Sequence, residues 1–332
     1  MAVQAAEEVF KMNRRKFLSL LGAGFFLTFF SGCGETSEKN SVKKNSADNS
    51  DVEKNFERGD FFVEDVKLNS GYTMPVIGLG TWTLSNEQAE KCVYHAIKTG
   101  YRLIDTARYY GNEIGVGRGI KKAVDEKICS REEIFVTSKI MPGNYDRADS
   151  AIENSLADLN LNYVDLMLIH QPGTNDEQAY KSLEKFVKAE KIRSIGISNY
   201  YTPKDFDRMK NISEIVPAVV QNENHLFYQN SSLQEYVKKF GTVIEAWYPF
   251  GGRGNTHQIF GNEVIKKISA AHGKTPAQII LRWQIQAGYI AIPGSKNFAH
   301  IEENFNIFDF ELSAQEMKEI FALNKNYRFE NW

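Results

Sequence analysis

Short apolar, β-branched runs begin near Val76, Arg102, Ile134, Val164, Ile192, Ala218, Thr242 and Ile290, at intervals of 24 to 32 residues and a last one of 48. Each of the first seven is followed by a stretch in which apolar side chains recur at helical spacing. A strand and a helix at that period form a βα unit, and a run of such units pairs its strands in parallel with both faces covered. Eight consecutive units predict an α/β protein of the (β/α)8 TIM-barrel class, and the 272 residues from 61 to 332 are the right length for one barrel and too few for two large domains. The long last interval leaves room for one extra helix. Ser85 with Gln88 three residues later predicts a capping box for a helix that Gly100 stops. Ahead of the barrel, Phe61 to Leu68 and Tyr72 to Val76, joined by Asn69-Ser70-Gly71, predict a hairpin that plugs its bottom.

Residues 1–60 do not share this pattern. Arg14, Arg15 and Lys16 precede an almost wholly apolar run from Leu18 to Phe30, 13 residues that are too few to span a bilayer. The string "NRRKFL" and this run resemble a twin-arginine export signal, and Phe30-Ser31-Gly32-Cys33 resembles a lipobox in which Cys33 is lipidated. A chance cysteine after a cleavable signal, or an uncleaved anchor, is the plainer alternative. Met12 is an alternative start. Residues 34–60 are rich in Asn, Ser, Lys, Asp and Glu with hardly any apolar side chain, so they predict a disordered, flexible tether. The organisation expected is therefore a signal and lipobox over 1–33, a linker over 34–60 and a barrel over 61–332. It implies a lipoprotein of the periplasm or cell envelope, touching membrane only through its N-terminal segment, with a cytoplasmic protein as the alternative.

Active sites of parallel barrels lie at the carboxyl ends of the strands. There the sequence sets polar residues after apolar runs: Asp105 after "YRLI", Lys139 in "IFVTSK", His170 after "VDLMLI", Ser198 and Asn199 in "IRSIGISN", and Gln221 after "AVV". Singly each has an ordinary explanation, as a helix cap, a solvated loop lysine or a satisfied core histidine. The formal net charge of −2, from 40 Lys and Arg against 42 Asp and Glu, gives no cationic footprint for nucleic acid. The three cysteines, Cys33, Cys92 and Cys129, have no disulfide or zinc spacing, so no metal is expected and the interior ones read as small apolar groups.

The segments "MPVIGLGTW", "RLIDTARYYGNEIGVG", "VTSK", "VDLMLIHQP", "IRSIGISNY" and "IPGSKNFAHIEEN" together resemble the aldo-keto reductase family, in its order and near its spacings, from Val63 to Trp332. The resemblance implies a catalytic tetrad of Asp105, Tyr110, Lys139 and His170. Tyr110 is favoured over Tyr109 because the family places its tyrosine five residues after the aspartate. Carbonyl reduction needs a hydride on carbon and a proton on oxygen. Tyr110 would give the proton, with the Lys139 ammonium favouring the phenolate and bringing that group nearer to working pH. Asp105 would hold the ammonium, and His170 would hydrogen-bond the carbonyl oxygen.

The hydride implies NADP(H), with NAD(H) left open, although the chain has no Rossmann fingerprint. The string "GNEIGVGRG" has the wrong glycine spacings and reads as helix packing. The resemblance implicates Ser198, Asn199 and Gln221 with the carboxamide end of the nicotinamide, stacks Trp247 on its ring, and adds Gly80, Thr81 and Asp105 to the cofactor-binding residues. The loop Pro249 to Gly252, with Pro249 and Phe250, would pass the pyrophosphate, and Ser295, Lys296, Asn297, His300, Glu303 and Asn304 would surround the adenosine. Many NADPH-using members carry Lys-Ser after the proline and an arginine further on. This chain has Gly294-Ser295 and His300, with Lys296 supplying part of the missing charge.

The substrate, a small aldehyde, ketone or keto-sugar, would meet Trp82, Tyr109, Tyr110, His170, Gln171 and the segments 141–146 and 327–332. A monomer is expected. Two other readings are a cofactor-binding redox sensor or regulatory subunit on the same scaffold, and an isomerase or aldolase using Lys139 as a Schiff base.

Overall fold

The computed structural model describes residues 64–330. The expected signal, Cys33, the linker and the first residues of the expected hairpin lie outside the described residues, as do 331 and 332. An antiparallel hairpin, β1 (Asp65–Lys67) and β2 (Thr73–Pro75), opens the described part. Its turn is closed by the Gly71 N–H on the Leu68 carbonyl, with Gly71 at φ 91°.

The next eight strands form one sheet, every pair parallel and adjacent in chain order. They are β3 (Leu79–Gly80), β4 (Leu103–Asp105), β5 (Phe135–Ile140), β6 (Val164–Ile169), β7 (Ile192–Ser198), β8 (Val219–Glu223), β9 (Val243–Trp247) and β10 (Ile290–Ala291). Parallel bridges Ile77–Ala291 and Gly80–Gly294 tie the first strand to the last, so the sheet is curled as in a TIM barrel. The approach is close: a Cβ on Gly80 would sit 2.7 Å from the Ile292 carbonyl oxygen.

Each strand from β3 to β8 runs into one helix packed outside the sheet: α1 (Asn86–Thr99), α2 (Glu113–Asp125), α3 (Ala148–Leu159), α4 (Asp176–Lys188), α5 (Pro203–Ile212) and α6 (Ser231–Lys238). The capping box of α1 forms as its sequence predicts, with Ser85 and Gln88 exchanging bonds and Gly100 ending the helix at φ 124°. Between β9 and β10 the expectation of a single extra helix falls short. Three helices occupy the interval, α7 (Thr256–Phe260), α8 (Glu263–His272) and α9 (Pro276–Gln286), because Asn262 and Thr275 each cap a new start within it. Two more, α10 (Phe298–Phe305) and α11 (Ala314–Phe321), follow β10.

The glycine string of α2 packs against its neighbours, as the sequence implied. A Cβ on Gly115 would lie 2.1 Å from the Asn86 carbonyl oxygen, and one on Gly117 would lie 2.1 Å from that of Leu159. Only glycine permits that approach.

Alternation along the strands sorts side chains between two environments. Ile104, Val136, Met167, Ile195 and Ile244 pack outward in the helix-covered cluster, which also takes the free thiols Cys92 and Cys129. Leu103, Phe135, Leu166, Leu168, Val219 and Ile290 pack inward with Leu68 and Met74 of the hairpin region. The inward parity continues toward the carboxyl ends through Asp105, Lys139, His170, Gln221, Glu245 and Trp247. The interior thus changes from hydrocarbon to charge along its length. Among the described residues no helix is long and apolar enough to cross a membrane.

Candidate active site

At the carboxyl ends of the strands a cavity of about 390 Å³ opens to solvent, within the range typical of small-molecule sites. Lys139, penultimate in β5, lies beneath it and is fully buried. Its ammonium donates 2.7 Å to Asp105 Oδ1, 2.9 Å to the Thr106 carbonyl and 3.1 Å to the Tyr110 hydroxyl, so all three N–H groups have acceptors. Asp105 therefore serves the lysine rather than capping a helix. Its second oxygen, Oδ2, accepts 2.8 Å from Gln221 Nε2. Tyr110 ends the single turn Arg108–Tyr110, which brings its hydroxyl over the ammonium. The ring of His170 stands edge-on to that of Tyr110, with centroids 5.7 Å apart. These four side chains meet at one place.

Burial of Lys139 works against its charge, but Asp105 and then Tyr110 outweigh it and hold its pKa above the ordinary lysine value. Burial pushes the Asp105 carboxyl up and the ammonium opposes that rise. His170, buried and facing the same ammonium, has its pKa lowered well below the ordinary histidine value, so it is a neutral imidazole. Its Nδ1 is buried with no hydrogen-bond partner.

For Tyr110 the sequence-based expectation needs correcting. Lys139 does pull the phenol down, but burial is the larger effect and Asp105 adds to it, so the pKa is pushed up to about 12. The phenol stays protonated throughout the physiological range. Because its oxygen accepts from Lys139, its own hydrogen is left to point elsewhere.

The expected substrate residues Trp82, Tyr109, Tyr110, His170 and Gln171 all line the cavity. Trp82 and Tyr109 stack at its mouth, 5.7 Å apart and 17° from parallel, and Tyr109 is 55% exposed. Of the expected cofactor residues, Gly80, Asp105, Ser198, Asn199, Gln221, Trp247, Pro249, Phe250, Ser295 and Lys296 line it as well.

Thr81, Asn297, His300, Glu303 and Asn304 do not. The Thr81 hydroxyl is buried on the Asp105 carbonyl at 2.9 Å. Asn297 caps α10, accepting from the Ala299 N–H. Glu303 accepts 2.7 Å from the Thr275 hydroxyl, and Asn304 is buried within the same helix. His300 is exposed on α10. The wall expected from 141–146 reduces to Met141, and that from 327–332 is absent among the described residues. The main-chain N–H groups of Phe329 and Glu330 bind Glu223 instead, 2.6 and 3.2 Å away.

Sequence reasoning passed over Tyr248 and Arg253, in the loop after β9, and Thr256, which opens α7; all three line the cavity. It also passed over Glu245, fully buried below, whose Oε2 accepts 2.7 Å from Gln221 Nε2. Glu245 was findable, because it lies two residues before Trp247 on one strand and so shares its face.

The cavity fits a nicotinamide dinucleotide. Trp247 offers a ring face beside the tetrad, its Nε1 buried without a partner, and the cations Arg253 and Lys296 line the cavity from the loops after the neighbouring strands β9 and β10, where phosphates would need them. The Asn199 amide is less available than expected, being engaged with the His170 carbonyl and the Tyr201 hydroxyl.

Residues 76–325 match the Aldo/keto reductase family. The chain is 39% identical over 308 residues to NAD(P)H-dependent D-xylose reductase I,II of Candida tropicalis, covering 81% of this chain and 95% of that one. It is 43% identical over 269 residues to glyoxal reductase of Bacillus subtilis, covering 80% and 94%. Among solved structures it is similar to a Bombyx mori aldo-keto reductase in complex with NADP, at 31% identity and TM-score 0.75, covering 81% and 95%. With the curled parallel sheet and the four converging side chains, these likenesses settle the family: the chain belongs to the aldo/keto reductases.

Proposed function

We propose that the protein is an NAD(P)H-dependent carbonyl reductase for small aldehydes, ketones or keto-sugars, with Asp105, Tyr110, Lys139 and His170 as its catalytic set. The observation that carries this is the Tyr110 hydroxyl 3.1 Å from a lysine whose other two N–H groups are taken by Asp105 and Thr106. A bound nicotinamide dinucleotide would supply the hydride. Ser198, Asn199, Gln221 and Trp247 would hold its reactive end, and Arg253, Ser295 and Lys296 its phosphates.

The chain's own residues do the rest. Tyr110, protonated, donates its hydrogen to the carbonyl oxygen as that oxygen gains charge. Lys139 stabilises the phenolate left behind, and Asp105 keeps the ammonium from being neutralised by burial. Neutral His170 donates a second hydrogen bond to the same oxygen, which orients the substrate. Stacked Trp82 and Tyr109 form an open aromatic lip suited to short substrates. The relatives' names support this range, since xylose and glyoxal both carry an aldehyde. The hairpin, through Leu68 and Met74, is read as the floor of the sheet's interior.

Mixing purified protein with NADPH and either glyoxal or xylose is expected to consume the cofactor's reduced-form absorbance in step with alcohol formed. NADPH is expected to work better than NADH, because Arg253 and Lys296 favour an added phosphate. No consumption with any short aldehyde would remove the reading and leave the regulatory-subunit alternative.

The twin-arginine string and the Ser31-Gly32-Cys33 sequence support a further proposal, export and attachment to the cell envelope through a lipid on Cys33. Cell fractionation should then find the protein in the envelope fraction with the mass of a lipid, and the Cys33→Ser variant should lose both. Unmodified full-length protein confined to the cytosol is the opposite outcome.

A further inference from the structure

The interior holds an ionisable group that the mechanism does not use. Glu245 on β9 is fully buried, with one oxygen, Oε2, accepting from Gln221 Nε2 at 2.7 Å and the other, Oε1, buried without any partner. The same Gln221 nitrogen donates 2.8 Å to Asp105 Oδ2, and the opposite oxygen of Asp105 receives the Lys139 ammonium. A continuous chain of contacts therefore runs from Glu245 through Gln221, Asp105 and Lys139 to the Tyr110 hydroxyl.

We infer that Glu245 is a positioning residue for the reduction: it fixes the Gln221 carboxamide on the far side of Asp105, and its proton keeps a second carboxylate charge out of the Lys139 surroundings. The inference rests on the carbonyl-reductase reading of the same site. The charge count explains it. Asp105 and Lys139 balance, so an ionised Glu245 would leave the buried cluster with a net negative charge and no partner for it. The charged or titratable groups facing Glu245 are Asp105 from β4 and Lys139 from β5, with Tyr110 beyond the lysine. Its ladder neighbours, Gln221 on β8 and Ile290 on β10, carry none.

Burial pushes Glu245 up to about 8, Asp105 adding to the rise while Gln221 and Lys139 oppose it. Loss of that proton puts negative charge near a phenol that must itself become negative on giving up its hydrogen, and like charge disfavours that step. Reduction should therefore weaken as pH rises through this ionisation, well below the pH at which Tyr110 itself deprotonates.

The test combines a pH profile with infrared spectroscopy of the wild-type protein and Glu245→Gln, the neutral isostere. Near about pH 6 the variant's kcat for a short aldehyde should stay within roughly threefold of wild type, and its alkaline limb should move upward by more than about one pH unit. Independently of turnover, the wild type should show a protonated-carboxyl C=O band at about pH 6 that fades through about pH 8, and the variant should lack it. Should Glu245→Gln not fold, Glu245→Met replaces it for the infrared band and the position of the alkaline limb, with kcat at about pH 6 expected to fall because Gln221 loses its acceptor.

An unmoved alkaline limb, or an ionised Glu245 at about pH 6, would overturn the inference. A wild type inactive on every aldehyde would instead overturn the reductase reading, and the infrared band would still report on Glu245.

Discussion

Tyr110→Phe is expected to lower single-turnover reduction of a short aldehyde by about 10²–10⁴-fold, the span of a lost general acid. NADPH binding, followed by protein fluorescence, should change little. The variant removes one oxygen, and Lys139 keeps its bonds to Asp105 and the Thr106 carbonyl, so the fold should lose only about 1 kcal/mol. Tyr109→Phe is the internal control. The residue is 55% exposed and its ring is stacked on Trp82, so deleting its hydroxyl should alter KM for the aldehyde more than kcat. A Tyr110→Phe protein with undiminished turnover would transfer the proton-donor role elsewhere. One that never turned over in either form would favour the regulatory-subunit reading.

The position of Tyr110 also shows where sequence alone stops. Its selection over Tyr109 came from the family resemblance, which sets a tyrosine five residues after the aspartate, and its contact with Lys139 follows from the short turn Arg108–Tyr110. The direction of its pKa was not legible. A lysine beside a phenol argues for a lowered value, and only the desolvation of the phenol among its neighbours reverses the sign. Strand parity explains most of what was readable, because Asp105, Lys139, Gln221 and Trp247 all follow inward-facing apolar residues by an even number of positions. The same parity pointed at Glu245, but an acid amid a strand carries no sign of what it faces across the interior.

Loop residues were harder. His300, Glu303 and Asn304 follow the family's order, yet none of them lines the cavity: Asn304 is buried within α10 and Glu303 accepts from Thr275. The C-terminal segment was expected at the substrate wall. Residues 327–330 do not line the cavity, and the buried Glu223 carboxylate accepts the main-chain N–H groups of Phe329 and Glu330, a tie that no sequence pattern announces. Arg253 and Tyr248 lie in the loop after β9, where a tightly bent backbone, with Tyr248 at φ 54° and Gly252 at φ 70°, decides which side chains reach the cavity.

Replacing Lys139 by Met is expected to cost about 3–5 kcal/mol of stability, more than any other single change in the site, because it leaves Asp105 buried with no opposite charge. Met fills similar volume, so packing is not the source of the loss. The loss should depend on pH in a direction the geometry fixes. Burial already pushes the Asp105 carboxyl up, and removing the ammonium removes the strongest effect that opposes it.

A carboxyl whose folded pKa exceeds its unfolded value binds its proton more tightly in the folded protein, so stability falls as pH rises between the two. The deficit of Lys139→Met should therefore be small below about pH 4, grow as pH climbs through the raised carboxyl value, and level off above it. Urea unfolding at several pH values measures this directly. The double variant Asp105→Asn with Lys139→Met has no charge left to strand, and should recover most of the loss at about pH 8 while remaining inactive. A double variant as unstable as the single would mean that Lys139 contributes by packing, and that the Asp105 carboxylate is not what holds the ammonium beneath Tyr110.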